Sequence, residues 1–407
     1  MYIHIGLLKS QLALRKHLPI HNLEIGSIIK HRRIEKALTL EESAEGICSV
    51  SYLSKVENNL IVPSKKYIGL FEERFEICLK ETPQEDTEAI LDQIVDYLFY
   101  DERLVMDEKL FIGFDYRSKL YHFGYLVTLK DYASAKKMYF ELNPYIKNFS
   151  NVEVFVYLYL ASWLLQEEGR IKDAFTVLNL KYGVCTHHKL KTLIDKEKVA
   201  LATLMNNHPY ILLNYEKTME QLMAHEYYHL IHDQKFKYIS YLSQFINQND
   251  LNQVLDKVLH INEHQKNYII ARHEFLNMNY KESYQMIMGK ENLNLRYFCL
   301  ALQVLNKLAY KEPLRSLLVM PYETENVHIK LIIEYLKQKH FTKKINQANF
   351  IKNQVLKIHD LPDTVDLLHF WYDEGMEAFK EVGYYKDATA LGQLIFRKIK
   401  DLSTNVS

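Results

Sequence analysis

Glycine and proline are both scarce in this chain, 12 and 8 among 407 residues, about half of ordinary usage. Few tight turns and few strand-edge breakers are therefore available, which weighs against an all-β fold and favours helices. Cysteine is equally sparse: Cys48, Cys78, Cys185 and Cys299 lie far apart and form no Cys-x-x-Cys pair. Neither a zinc ribbon nor a disulfide framework is indicated, and a reducing cytoplasm is the simplest compartment. No charge of one sign dominates, since Lys+Arg and Asp+Glu are 51 each. That removes wholesale electrostatic capture of nucleic acid or anionic membrane, so any nucleic-acid contact must be local. Long apolar runs are missing too. The most apolar segment, residues 154–165, spans 12 residues and is followed by Glu167 and Glu168, whereas a membrane span needs roughly 20. The N-terminal "MYIHIGLLKSQLALRKH" is broken by Lys9 and Arg15, too fragmented for a signal-peptide core. No glycine-rich phosphate loop is present, and no cofactor is expected.

What is present is a hydrophobic fraction of 48% and 30 tyrosines, enough for a substantial core and for two or three domains. Residues 1–22 form a short amphipathic extension to which the sequence assigns no role. From residue 23 the pattern sharpens. Ile25, Ile28, Ile29 and Arg33 recur at helical spacing, and Thr39 followed by Glu42 is a capping box opening a second helix over 40–47. Ser49 caps a third helix that turns Leu53 and Val56 inward. Pro63 and Ser64 mark a loop before a helix over 66–80. The polar, acidic "ETPQEDTE", residues 81–88, is the best linker signal. The predicted organisation is an extension (1–22), a compact helical head (23–80), a linker (81–88) and a long helical region (89–407).

Within that last region two turns resemble each other, "EEGRIKDAFTVL" (167–178) and "EVGYYKDATALG" (381–392), with weaker echoes at "TLKDYASAKKMY" (128–139) and "NMNYKESYQMIM" (277–288). A break residue ending one helix, then a small residue opening the next where the two cross closely, is the pattern of a tetratricopeptide-like hairpin. Such a unit cannot bury its face alone. Eight or nine stacked repeats of about 34 to 40 residues are expected. Phe155, Leu158 and Tyr159 read as core of this array.

The head has the order of a helix-turn-helix, whose second helix lies in a major groove about 12 Å wide. The reading helix is expected at 49–57, with Ser49, Val50, Ser51, Tyr52 and Lys55 outward. Lys55 is the long cation able to reach a guanine edge or a phosphate. Lys30, Arg32, Lys65 and Lys66 flank it. Residues 23–66 nevertheless hold seven Lys/Arg against six Glu, so one head binds weakly and a dimer on a palindromic operator is implied. In the array, Asn206, Asn207 and Asn214 are candidates for holding the backbone of an extended peptide through their side-chain amides, with helix-end roles as the alternative.

One further motif is His225-Glu226-Tyr227-Tyr228-His229. On a helix, positions i and i+4 share a face, so both imidazoles can hold one zinc while the Glu activates its water. The sixth position after His229 is Lys235 rather than a third ligand. Residues 215–232 also read as one array helix packing through Met219, Leu222, Met223 and Leu230. No metal site is therefore expected.

"IGSIIKHRRIEKALTLEESAEGICSVSYLSKVENNLIVPS", residues 25–64, resembles the Cro/repressor-like helix-turn-helix class. "GICSVSYLSKVENN" (46–59) is most similar to the PlcR, NprR, Rgg and PrgX type of Gram-positive regulator. That resemblance implies an all-α fold, a helix-turn-helix head followed by a tetratricopeptide-like solenoid. It further implies a cytoplasmic homodimeric regulator whose array binds a short secreted-and-reimported signalling peptide that switches binding to double-stranded DNA. By the same resemblance Arg33 and Glu57 form a structural ion pair, and Ser49 to Tyr52 with Lys55 face bases and phosphates. The class has Gln at the start of the second helix, where this chain has Leu40. Two other readings stay open on the residues alone: a protein-interaction adaptor with a silent head, and a zinc peptidase through His225, Glu226 and His229.

Overall fold

A computed structural model describes residues 2–13, 23–58, 61–77, 91–98, 116–180, 183–258, 261–287, 294–320, 324–341, 344–356 and 361–404. The expected linker at 81–88 lies outside these residues. Among them the regular structure is entirely helical, and no helix is long and apolar enough to cross a membrane. The chain divides into two units, residues 1–164 with 177–193, and residues 165–176 with 194–407.

The first unit opens with α1 (Ile5–Ala13). Ile3 and Leu8 are buried, and α1 packs on a 3-10 segment, Asn143–Asn148. The extension thus has a structural role that its sequence did not disclose. The head follows as α2 (Leu23–Glu35), α3 (Leu40–Ala44), α4 (Val50–Glu57) and α5 (Lys65–Phe75). Both halves of the capping box are made at α3: Thr39 N–H donates to Glu42 Oε2 at 2.7 Å and Glu42 N–H to Thr39 Oγ1 at 3.2 Å. Ile25, Ile29, Ala44, Leu53, Val56, Phe71 and Phe75 form one core. It binds α2 to α4 and α5, the tri-helical geometry of a helix-turn-helix. The expected helix over 66–80 stops at Phe75 instead. Glu76 takes a left-handed φ of 54°, Ile77 N–H closes on Glu72 O at 3.1 Å, and Ile77 folds back on the core, which ends the helix by a Schellman-type turn.

Four more helices complete that unit: α6 (residues 91–98), α7 (Tyr116–Thr128), α8 (Tyr132–Leu142) and most of α9 (Asn151–Glu167). A capping box unnoticed in the sequence starts α9. Ser150 N–H donates to Glu153 Oε2 at 2.6 Å and Glu153 N–H to Ser150 Oγ at 3.2 Å. The other oxygen of Glu153 accepts from buried Arg117 at 2.7 Å. Leu158 and Tyr159 are buried as expected, and the Tyr157 ring stacks on Tyr139 with centroids 5.1 Å apart.

The second unit takes in the end of α9 and most of α10 (Ile171–Leu178) and of α11 (His188–Leu204). It continues through α12 (His208–Ala224), α13 (Tyr228–Leu242), α14 (Gln248–Lys257), α15 (Glu263–Leu276), α16 (Tyr280–Ile287), α17 (Leu295–Leu308), α18 (Lys311–Val319), α19 (Val327–Phe341), α20 (Lys344–Phe350), α21 (Val365–Glu381) and α22 (Tyr385–Thr404). From α15 onward each helix packs on the next, the nearest-neighbour logic of a solenoid. The first helices of successive pairs begin at Tyr116, Asn151, His188, Tyr228, Glu263, Leu295, Val327 and Val365, a period of 32 to 40 residues.

The two matched glycine turns behave alike. Gly169 (φ 81°) and Gly383 (φ 76°) are left-handed, and the next amide reaches back five residues, Arg170 to Leu165 O at 2.8 Å and Tyr384 to Phe379 O at 2.8 Å. Ala174 and Ala388 are buried just beyond. The two weaker echoes carry the same turn on Lys130 and Met278, at φ of 60° and 64°. So do Asn206, Glu226 and Ala309, where no glycine marks the place. A side chain costs about 1 kcal/mol in this conformation, and the paired turn hydrogen bonds offset it.

Candidate functional site

Two places collect the residues that the sequence singled out. The first is the leading edge of α4. Ser49 caps it, accepting from Tyr52 N–H at 3.1 Å, and Val50, Ser51 and Lys55 are exposed. Lys65 is exposed at the first position of α5. Tyr52 departs from expectation: it is half-buried with its ring 4.9 Å from Tyr67, because its position faces the loop that enters α5. Lys30 departs as well. It is half-buried in the same unit as Lys147, whose pKa is lowered by burial and by Lys30, while Lys147 Nζ donates to Asn58 Oδ1 at 2.5 Å. Arg33 donates to both carboxylate oxygens of Glu57, Nε at 2.7 Å and Nη2 at 2.9 Å. A third bond runs from Nη1 to Leu38 O at 3.1 Å. The pair ties α2 to α4 from inside. Leu40 packs half-buried on the head core.

The second place is a cavity of about 300 Å³ in the second unit, at the small end of ligand pockets, which run roughly 300–1,000 Å³. Beyond the end of α9 and the start of α10, its helical walls come from α11, α13, α15, α17, α19 and α21. From α11 onward one helix of each pair faces the space and its partner is turned away, which is the concave side of a helical-hairpin stack. Lys172 N–H donates to Asp363 Oδ2 at 2.9 Å, and Lys398 pairs with the same carboxylate at 2.6 Å. The first and last pairs of this unit therefore meet.

Apolar walls include Leu295, Leu300, Ile329 and Leu367, and the charged groups are Lys237, Arg272, Arg296 and Asp366. Arg272 is buried and fully committed. It donates to Asp366 (2.8 and 3.2 Å), to Ser240 O (2.7 Å) and to Ser243 Oγ (3.1 Å). Lys237 lies 2.8 Å from Asp233 Oδ2, which also takes Lys196 at 2.5 Å. Burial pulls the Lys237 pKa down and outweighs the pull of Asp233, whereas Lys196, buried as well, is held up by Asp233. Burial pushes the Cys299 thiol, also in the wall, up to about 12.

The three candidate asparagines separate. Asn206 lies in the cavity wall, its amide exchanging two 3.1 Å bonds with Gln244. Asn207 is buried and caps α12, accepting from Tyr210 N–H at 3.2 Å. Asn214 donates to Tyr210 O one turn back at 2.9 Å and is absent from the cavity wall. Both meet helix backbone needs rather than face the cavity. The residues missed were Lys237, Arg272, Arg296 and Asp366. A signal existed for Arg272, a cation inside the apolar run Tyr268, Ile269, Ala271 and Phe275.

The His225 to His229 segment is not one helix, as the spacing had suggested. The residues expected to form a single helix over 215–232 form two. α12 ends at Ala224, Glu226 is left-handed at φ 57°, and Tyr227 caps α13. The i, i+4 face that zinc requires does not exist across such a turn. Among the described residues no group of three or more His, Cys, Asp or Glu is placed to hold a metal.

These observations define an all-α protein: a helix-turn-helix head followed by tetratricopeptide-like hairpins that enclose a cavity with one helix of each pair. The fold is of the NprR type. The structure of NprR in complex with its cognate peptide NprX aligns over 77% of this chain and 99% of that one, at 12% identity and a TM-score of 0.58. The apo form of the quorum sensor NprR from B. thuringiensis aligns over 78% and 100%, at 13% identity and a TM-score of 0.47. No family model matches the sequence, and no curated protein matches it.

Proposed function

We propose that the chain is a cytoplasmic, non-enzymatic transcriptional regulator whose head binds a palindromic DNA operator as a homodimer. In this reading its array binds a short signalling peptide that switches DNA binding. The observation that carries it is the cavity lined by alternate helices, in a fold shared with NprR, a protein crystallised with its cognate peptide. The exposed edge formed by Ser49, Val50, Ser51 and Lys55 supports the DNA part, since a reading helix needs its N-terminal side chains free. The thin charge balance of the head requires two heads on half-sites about 34 Å apart. A peptide that prefers one curvature of the array then shifts the population in which that spacing is met.

The test is fluorescence anisotropy of the full chain against DNA fragments flanking its own gene, at two salt concentrations and with a Ser51→Ala/Lys55→Ala variant. Saturable, salt-weakened binding that the variant loses is expected. Binding that the variant retains, or that salt does not weaken, refutes the assigned head surface.

A further inference from the structure

We propose that the cavity selects its ligand by one carboxylate, held on the Arg296 guanidinium. The inference rests on the peptide-binding reading and specifies the class of peptide: one presenting a carboxylate beside an apolar side chain.

The argument begins with which charges are already balanced. Around the cavity, Lys196 and Lys237 act with Asp233, and Glu197 lies close enough to raise both ammonium pKa values. Arg272 is spent on Asp366 and on two oxygens of α13 and its C-cap. Four cations thus meet three carboxylates. The one without an ion pair of its own is Arg296, half-buried in the cavity wall, whose charge acts on Asp366 only behind Arg272 and His369. Its guanidinium sits over the Phe236 ring, 5.4 Å from the centroid, and none of the ion pairs among the described residues involves it. A ring face holds a guanidinium in place without consuming its N–H donors. Those donors form a planar fork suited to two parallel bonds with a carboxylate.

Its neighbours add to the demand for an anion. Lys237, whose charged form is penalised by burial, shares a single carboxylate oxygen with Lys196. Arg296 is itself one of the charges that lower the Lys237 pKa, so a carboxylate seated on Arg296 offsets that repulsion as well. Leu295, directly before Arg296, and Leu300, one turn further on, line the same space, so the group attached to the carboxylate meets apolar wall. A cavity of about 300 Å³ admits the end of a peptide rather than a whole folded partner. The carboxylate can be the peptide's own C-terminus or an acidic side chain.

The experiment uses the full-length protein and three synthetic heptapeptide pools of equal apolar and small-polar composition. One pool has free C-terminal carboxyls, one has C-terminal amides, and one has amides with a single internal Glu. Peptides retained on gel filtration are identified by mass spectrometry and titrated calorimetrically against wild type, Arg296→Gln and Arg296→Lys, with thermal melts to show that each variant folds. Retention of the free-acid pool assigns the carboxylate to the C-terminus, and retention of the Glu-amide pool assigns it to a side chain. In either case Arg296→Gln should weaken binding about 10- to 100-fold, with Arg296→Lys between. Equal retention of the neutral amide pool, or an unchanged affinity in folded Arg296→Gln, overturns the carboxylate inference and leaves peptide binding standing. Retention of none of the pools overturns the peptide reading, and this inference with it.

Discussion

Removing Arg33 alone should cost far more than removing Arg33 and Glu57 together. The Glu57 side chain is 3% exposed and that of Arg33 15%, and two bonds of 2.7 and 2.9 Å join them. Arg33→Met leaves a carboxylate buried in the head without its partner, at a cost of about 3–5 kcal/mol. Glu57→Leu strands the guanidinium and should cost nearly as much. A head of some fifty residues is stable by only a few kcal/mol, so either single variant should lose its fold at 25 °C. In Arg33→Met/Glu57→Leu no charge is stranded. What remains is mainly the lost bond to Leu38 O, about 1 kcal/mol. The assay is hydrogen exchange of the α2 and α4 amides in the full chain, with DNA anisotropy on the same samples. Protection should collapse in each single variant and largely return in the double, DNA binding returning with it. A double variant as poorly protected as the singles would refute the reasoning, because it would place the cost in the lost contact itself rather than in the abandoned charge.

Two further outcomes follow from the packing and the titratable groups. A Cβ on Gly375 would lie 2.0 Å from Leu391 Cδ2 across the α21–α22 crossing. Gly375→Ala should therefore lower the unfolding free energy by about 1–3 kcal/mol, read as a lower urea midpoint, against the gain of about 1 kcal/mol that helix propensity alone predicts, and Leu391→Ala should recover part of it. His31, His122 and His340 have pKa values lowered chiefly by burial. The folded chain keeps these rings neutral where the unfolded chain takes up protons. Their contribution to stability is therefore lost as pH falls from about 6.5 through the lowered folded values, and Tm should be lower at pH 5.5 than at pH 7.5. A Tm that holds or rises on acidification would contradict that sign.

Much of the head was legible in the sequence because its signals are local. Thr39 and Glu42 meet over three residues, and Ile25, Ile29, Leu53 and Val56 follow helical period. The hairpin array was legible at Gly169 and Gly383, where glycine advertises a left-handed turn. It was hidden at Asn206, Glu226 and Ala309, where hydrogen bonds hold side-chain-bearing residues in the same conformation. Glu226 is the instructive case: reading through it joined two helices and created an apparent zinc motif.

Fold class and repeat length were thus determined by the chain's own composition and periodicity, since each repeat contacts mainly its neighbours and is written within about forty residues. Only the tertiary structure decided which residues line the cavity. Lys237, Arg272, Arg296 and Asp366 come from four helices spread over some 130 residues, and nothing local marks the face that each helix turns inward. Stacking also decided that Arg272 is spent on Asp366 while Arg296 keeps its donors, because charge balance is a property of neighbours in space.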